Sequence, residues 1–234
     1  MLLYLIRHGD PDYTTDTLTD KGLEQAEAVA ERLKDVGIDT IYASSMGRAM
    51  QTAEPLCKRL GIPCISQDWA RELSDAMLST YPDGKQKVLA AVPPACFWEE
   101  DSLELNYRQG VLSPPVRSTT MALELPLLER NINVFLEQFG YKKEGAVFRI
   151  TENNQQRVAL FCHAGVIRAI CSILLHIPVH TMWSSFDHGH TGVTVLEFRD
   201  YGTGLVSPKC LCFSDMSHLQ AHSLDMRYNN RILI

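Results

Sequence analysis

The sequence predicts an α/β fold, a three-layer α/β/α sandwich with a mostly parallel central sheet. Three observations predict it. Short apolar runs of strand length alternate with stretches of helical spacing at both ends of the chain. The connections are long enough to be crossover helices, which cover both faces of a parallel sheet. The 234 residues, 45% apolar and 21% charged, are more than one plain domain needs and fewer than two, so one domain over 1–234 with an insertion is expected.

Taken in order, Leu3 to Ile6 is a short buried strand ended by Arg7-His8-Gly9-Asp10-Pro11. Thr19 suits an N-cap, and Leu23, Ala26, Ala30 and Leu33 mark one face of a helix that stops before Gly37. Ile38 to Ala43 is the second strand. Ser44 or Ser45 caps a helix that runs to about Leu60, kinks at Pro55 and stops at Gly61. Ile62 to Ser66 is the third strand. The alternation then breaks. From about 75 to 118 there is no sustained period, prolines recur, and Tyr81, Phe97, Trp98 and Tyr107 read as exposed aromatics. A stretch that long reads as an inserted lid over the crevice.

Helical spacing returns from Thr119 to Gly140, with Leu123, Leu127, Leu128, Phe135 and Phe139 as its apolar positions. Val147 to Thr151 and Arg157 to Phe161 flank a polar turn and suggest a hairpin that feeds a central strand. Gly165 to His176 is a helix ended by Pro178. Val193 to Phe198 and Leu205 to Phe213 read as a terminal antiparallel pair.

Charge narrows the function. Lys and Arg number 22 against 28 Asp and Glu, a net charge of −6, which argues against a large nucleic-acid footprint. An anionic ligand must therefore be held by a local group of arginines. The opening run Met1 to Ile6 is too short for an export signal or a membrane span. With that, the seven cysteines read as reduced thiols of a cytoplasmic protein.

Three sets of charged residues follow three separate predicted strands: Arg7-His8, Arg48 and His163. In an open parallel sheet the carboxyl ends of the strands line one crevice, so these residues converge despite their distance in sequence. A lone histidine at a strand end is usually a hydrogen-bonded rim residue; two of them with two arginines make that bland reading much less fitting for the set.

The same residues carry a resemblance. Arg7-His8-Gly9, Leu18-Thr19-x-x-Gly22-x-x-Gln25-Ala26, Ser44-Ser45-x-x-Arg48-Ala49-x-Gln51-Thr52-Ala53, Arg71-Glu72-Leu73 and His163-Ala164-Gly165 resemble the histidine phosphatase superfamily, in its phosphoglycerate-mutase-like branch. The resemblance implies a metal-independent phosphoric monoester hydrolase without a cofactor. His8 would attack phosphorus and form a phosphohistidine, which splits one displacement into two. Arg7, Arg48 and His163 would bind the phosphoryl oxygens, with Gly9, Ala164 and His190 at the substrate's edge. Glu72 would carry the leaving-group proton, with Asp75 a substitute because the residues after Leu73 depart from the family's pattern.

Asp10-Pro11-Asp12-Tyr13 stands where mutases of the family have Glu-Ser and a Trp-Asn pair. Extra carboxylates disfavour a second phosphate, so a phosphatase is preferred to a mutase, and both to a non-catalytic phospho-ligand binding module. The partner expected is a small phosphomonoester, not nucleic acid or membrane; the sequence leaves a homodimer open. His218-x-x-x-His222 has metal-ligand spacing but lacks the Glu of zinc hydrolases, so no metal is expected there. Cys162 reads as core, and Lys142-Lys143 and the Arg227 to Arg231 tail as solvated surface.

Overall fold

The computed structural model describes residues 1–73, 78–80, 86–89, 92, 94–98 and 109–226. In chain order the first part comprises β1 (Leu2–Arg7), β2 (Pro11–Asp12), β3 (Thr17–Leu18), α1 (Asp20–Leu33), β4 (Thr40–Ser44), α2 (Gly47–Leu60) and β5 (Cys64–Gln67). The middle holds β6 (Leu78–Thr80), β7 (Gln86–Val88), α3 (Pro114–Arg117), α4 (Met121–Glu137), β8 (Tyr141–Glu144) and β9 (Val147–Ile150). The last part comprises β10 (Arg157–Cys162), α5 (Ala164–Leu175), α6 (Val179–Ser185), β11 (Val193–Glu197), β12 (Leu205–Val206), β13 (Lys209–Asp215) and α7 (Ser217–Ala221).

The main sheet has the order β13-β11-β1-β10-β4-β5. β1, β10, β4 and β5 pair in parallel, while β11 is antiparallel to both of its neighbours. Side chains alternate across the sheet. Leu3, Leu5 and Leu160 join Leu128, Phe135, Ile167 and Ile170 of α4 and α5 on one face. Ile6, Phe161 and Ile41 join Val29, Ala30, Ala53 and Leu56 of α1 and α2 on the other. That is the three-layer sandwich. Among the described residues no helix is long and apolar enough to cross a membrane.

The sequence blocks have local physical reasons. Thr19 caps α1, its Oγ1 accepting the Gly22 amide at 3.1 Å. Gln25 Oε1 accepts the Asp10 amide at 2.8 Å, Gln51 Oε1 the Leu18 amide at 2.7 Å, and Thr52 Oγ1 the Gly9 amide at 3.0 Å. The polar members of these blocks thus pin the loops after β1 to α1 and α2. Ala49 and Ala53, both fully buried, let α2 lie close on the sheet.

Gly9 and Gly22 meet backbone to backbone: a Cβ on Gly22 would lie 2.2 Å from the Asp10 carbonyl oxygen, and one on Gly9 would lie 2.6 Å from that of Gly22. Backbone cannot rotate away as a side chain can. Gly22→Ala should therefore destabilise the fold by roughly 1–3 kcal/mol, the usual cost of overpacking. Urea unfolding measures it, and a change within about 0.5 kcal/mol, the range of neutral surface changes, refutes the close approach.

Several expectations are corrected. Leu23 is 47% exposed, because the close approach to Asp10 turns Gly22 inward instead. Leu123 and Leu127 are 71% and 56% exposed. At 100° per residue they lie opposite the face of Met121, Leu125, Leu128, Ile132 and Phe135 that α4 buries. Phe97 is fully buried in the main core rather than exposed. Neither Ser44 nor Ser45 caps α2, whose N-cap is Met46 without a side-chain bond.

The expected hairpin of 147–161 does not form. β9 pairs with β8 and β12 in a separate sheet, while β10 enters the centre beside β1. β12 likewise leaves the expected terminal pair, which β11 makes with β13 alone. Lys143 is half-buried, its Nζ 4.5 Å from the centre of the Phe148 ring. Of the residues singled out earlier, Asp75, Tyr81, Tyr107, the side chain of Trp98 and the Arg227 to Arg231 tail lie outside the described residues.

Candidate active site

The carboxyl ends of β1, β4, β5 and β10 meet at one edge of the sheet, and so do the expected residues. His8 follows β1, and its amide donates to the Cys162 carbonyl at 2.9 Å, which ties it to the end of β10. His163 follows β10. Its ring centre is 5.2 Å from that of His8. Arg7, His8, Arg48 and His163 are all buried. His190, at the start of β11, places its ring 5.7 Å from His8 on another side. Glu72 follows the 3₁₀ turn after β5, with Oε2 4.0 Å from Nδ1 of His163.

Hydrogen bonds fix how His8 presents itself. Its Nδ1 lies 2.7 Å from the Gly9 carbonyl oxygen, which can only accept, so Nδ1 carries the proton and Nε2 the lone pair. Burial, then the guanidinium groups of Arg7 and Arg48, hold the His8 pKa well below the usual imidazole value. The ring is neutral at neutral pH, with a lone pair on Nε2 that can attack an electrophile. His163 is held in the same way: Ser44 Oγ accepts the Met46 amide at 3.3 Å and lies 2.9 Å from Nε2 of His163. With the hydroxyl hydrogen of Ser44 directed to Nε2, Nδ1–H of His163 faces the site on the side of Glu72 Oε2.

Burial raises the Glu72 pKa above the ordinary carboxyl value, and the positive charge of Arg7 only partly opposes this. Oε1 accepts the Leu73 amide at 3.2 Å, which leaves Oε2 on the side of His163. A carboxyl held in that state suits a proton donor at neutral pH.

The arginines are anchored from behind. Arg7 Nη1 donates to the His188 carbonyl, and Arg48 Nη1 donates to Asp16 Oδ1, whose other oxygen accepts the Gly47 amide at 2.7 Å. Yet Nε of Arg7 and of Arg48, Nδ1 of His163 and Nε2 of His190 are buried without a hydrogen-bond partner. Buried donors left unmet cost stability and mark a place prepared for a ligand. Three of them, on Arg7, Arg48 and His163, lie around one imidazole, two on permanent cations, and define an anion site; Nε2 of His190 carries a lone pair, because its Nδ1 faces the Asp10 carboxylate.

His8, Glu72 and His163 also offer three ligand atoms within 4.8 Å of one another, enough in number to hold a metal ion. The donor set is poorly suited to one, because Arg7 and Arg48 already place two positive charges against these rings. A polyanion is the better complement.

Gly9 and Ala164 are beside these groups in the chain, Ala164 opening α5, where the first amides have no partner inside the helix. Asp10 Oδ1 lies 3.4 Å from Nδ1 of His190. His176 and His218 lie outside this cluster. His176 Nε2 contacts the Ala146 carbonyl, and His218 bonds to Thr191 and Arg32. Cys162 is core, as expected.

The structure adds residues that the sequence reading missed. Arg168, buried in α5, is paired with Asp187, whose Oδ1 also accepts the His188 amide at 2.8 Å. That pair braces the carbonyl that holds Arg7. The signal was present: one charged residue in a helix otherwise uncharged from Gly165 to Leu174, where a buried charge needs a partner. Ser44 and Thr52 were quoted only as motif members, Asp16 was not singled out, and no periodicity marks any of the three.

Comparison with known proteins agrees with this architecture. A protein of Hydrogenobacter thermophilus, "Putative phosphoserine phosphatase 2", is 24% identical over 220 residues, 90% of this chain and 96% of its own. The Escherichia coli "Probable phosphoglycerate mutase GpmB" is 36% identical over 87 residues, 33% of this chain and 40% of its own. A crystal structure of a phosphoserine phosphatase from Entamoeba histolytica, solved with phosphoserine, superimposes with a TM-score of 0.61 at 22% identity, covering 93% of this chain and 98% of that one. The sequence profile of the histidine phosphatase superfamily (branch 1) matches residues 3–82 and 136–210. With its strand-end histidines and arginines gathered at one sheet edge, the chain belongs to that superfamily.

Proposed function

We propose that the chain is a phosphatase that hydrolyses a small phosphomonoester through a phosphohistidine on His8. One observation carries the reading: a neutral, lone-pair-bearing Nε2 on His8 is ringed by the unmet buried donors of Arg7, Arg48 and His163. In the first step Nε2 attacks phosphorus, the N–P bond forms and the P–O bond to the leaving group breaks. The leaving oxygen takes the bond pair and a proton from Glu72. In the second step water attacks phosphorus and gives its proton to Glu72, the N–P bond breaks, and phosphate departs with His8 restored. Arg7, Arg48 and Nδ1–H of His163 stabilise the charge that spreads over the equatorial oxygens. Gly9, Ala164 and His190 border the same group.

Water rather than a second phosphoester is the acceptor this mouth favours. Asp10 and Asp16 stand beside His190 and Arg48, and a second phosphate would meet their negative charge. The phosphoserine and phosphoglycerate named for the relatives are small anionic monoesters of the class proposed. Selection of the leaving group is assigned to the insertion of about 75–118, much of which lies outside the described residues; Phe97 packs in the core and is not one of its contacts. Seven cysteines, none in a disulfide, fit a reducing, cytoplasmic setting.

Rapid acid-free quenching with an aryl phosphate should trap a phosphate on His8 that is stable to base and labile to acid. A turnover-competent enzyme that accumulates none, even when the second step is slowed, overturns the covalent route.

A further inference from the structure

Thr191 is fully buried at φ 51°, a left-handed backbone that a β-branched residue enters only when its surroundings impose it. Its amide donates to the His8 carbonyl at 3.3 Å and its hydroxyl to the His190 carbonyl at 2.8 Å. On its other side Oγ1 lies 2.9 Å from Nε2 of His218. His218 is held from α1. Arg32 Nη1 lies 3.3 Å from its Nδ1, and the same guanidinium donates to the backbone oxygen of Asp215 at 3.1 Å and to its carboxylate at 2.5 Å.

The proton directions follow. A guanidinium only donates, so Nδ1 of His218 accepts and its proton sits on Nε2. Nε2–H then donates to Thr191 Oγ1, whose own hydrogen goes to the His190 carbonyl. Burial, then Arg32, lowers the His218 pKa to about 3, so the ring stays neutral in this role.

The same C-terminal stretch grips the loop 188–192 elsewhere. Ser214 Oγ accepts the Gly189 amide at 2.8 Å, and Met216 packs so closely that a Cβ on Gly189 would lie 2.0 Å from its sulfur. That loop in turn holds the site, since the His188 carbonyl takes Arg7 Nη1 and the Gly192 carbonyl takes the Arg7 amide at 3.2 Å.

We propose that His218 is a positioning residue for phosphoryl transfer: through the Oγ1 and amide of Thr191 it fixes the backbone of the nucleophile His8. This rests on His8 being the nucleophile. It gives a role to a histidine beyond the matched residues, which end at 210, and to a motif first read as an unlikely metal pair.

The test compares His218→Ala, His218→Gln and Thr191→Gly by the rate of phosphoenzyme formation with an aryl phosphate, by KM, and by thermal unfolding. Thr191→Gly suits the left-handed backbone without strain, so it cuts the relay without endangering the fold. His218→Ala and Thr191→Gly should slow phosphoenzyme formation about tenfold or more, since a displacement of about 1 Å at reacting groups costs up to ~10²-fold. KM should change little. His218→Gln, whose amide N–H can replace Nε2–H, should recover most of the rate. Thr191→Gly reacting at the parent rate, or the Ala and Gln variants losing rate alike, overturns the positioning role. A parent enzyme that places no phosphate on His8 instead overturns the nucleophile assignment on which the role rests, and the two failures are told apart by that control.

Discussion

His8→Ala should reduce turnover of an aryl phosphate by about 10⁴-fold or more, the scale on which covalent catalysis fails when its nucleophile is removed. Phosphate or vanadate should still bind, within about tenfold of the parent, because the donors of Arg7, Arg48 and His163 stay in place and each is anchored independently of the His8 ring. The split between lost turnover and kept affinity is what identifies a nucleophile. A residue that merely filled the pocket would lose both together. Steady-state rates with product inhibition measure the two quantities on the same samples, and a variant that keeps more than about a tenth of parental turnover removes His8 from the chemistry.

The part of this site legible in the sequence is the part fixed by topology. Arg7-His8, Arg48 and His163 each follow an apolar run, and a parallel sheet must bring such positions to one edge. Glu72 was legible only through its motif, because a single acid after a short strand has no spacing of its own. What could not be read is the polar bracing. Arg168 with Asp187, Ser44 with His163 and His218 with Thr191 join residues 19 to 119 positions apart, and no local pattern encodes such pairs. The hairpin error has a similar source. Lys142 and Lys143 conceal the strand that β9 pairs with, and Gly145 at φ 60° supplies the turn between them, so the tight reversal lies before β9 rather than in the polar stretch after it.

Replacing the proton donor separates leaving groups as well as rates. Glu72→Gln should lower kcat/KM for an alkyl phosphate by about 10²–10⁴-fold, the contribution typical of a positioned general acid. An aryl phosphate with an acidic phenol needs little protonation and should lose far less. The pH dependence follows from the signs of the two shifts. Burial raises the Glu72 pKa, so the protonated donor persists above the ordinary carboxyl range and is lost as pH rises through the raised value. The His8 pKa is depressed, so the neutral nucleophile is present above that lowered value and is lost only as pH falls through it, below the usual imidazole range. The alkyl-phosphate profile of kcat/KM should accordingly descend on its alkaline side in the parent and lose that limb in Glu72→Gln, while the acid limb set by His8 persists in both. Equal losses on the two esters, or an unchanged alkaline limb, would show that the proton comes from another group. Asp75→Asn is then the next variant to test, because Asp75 is the next carboxylate after Glu72 in the chain. Since Nδ1–H of His163 faces the same oxygen of Glu72, the aryl ester also reports whether phosphoryl binding survives the change, which isolates the proton transfer as the step that fails.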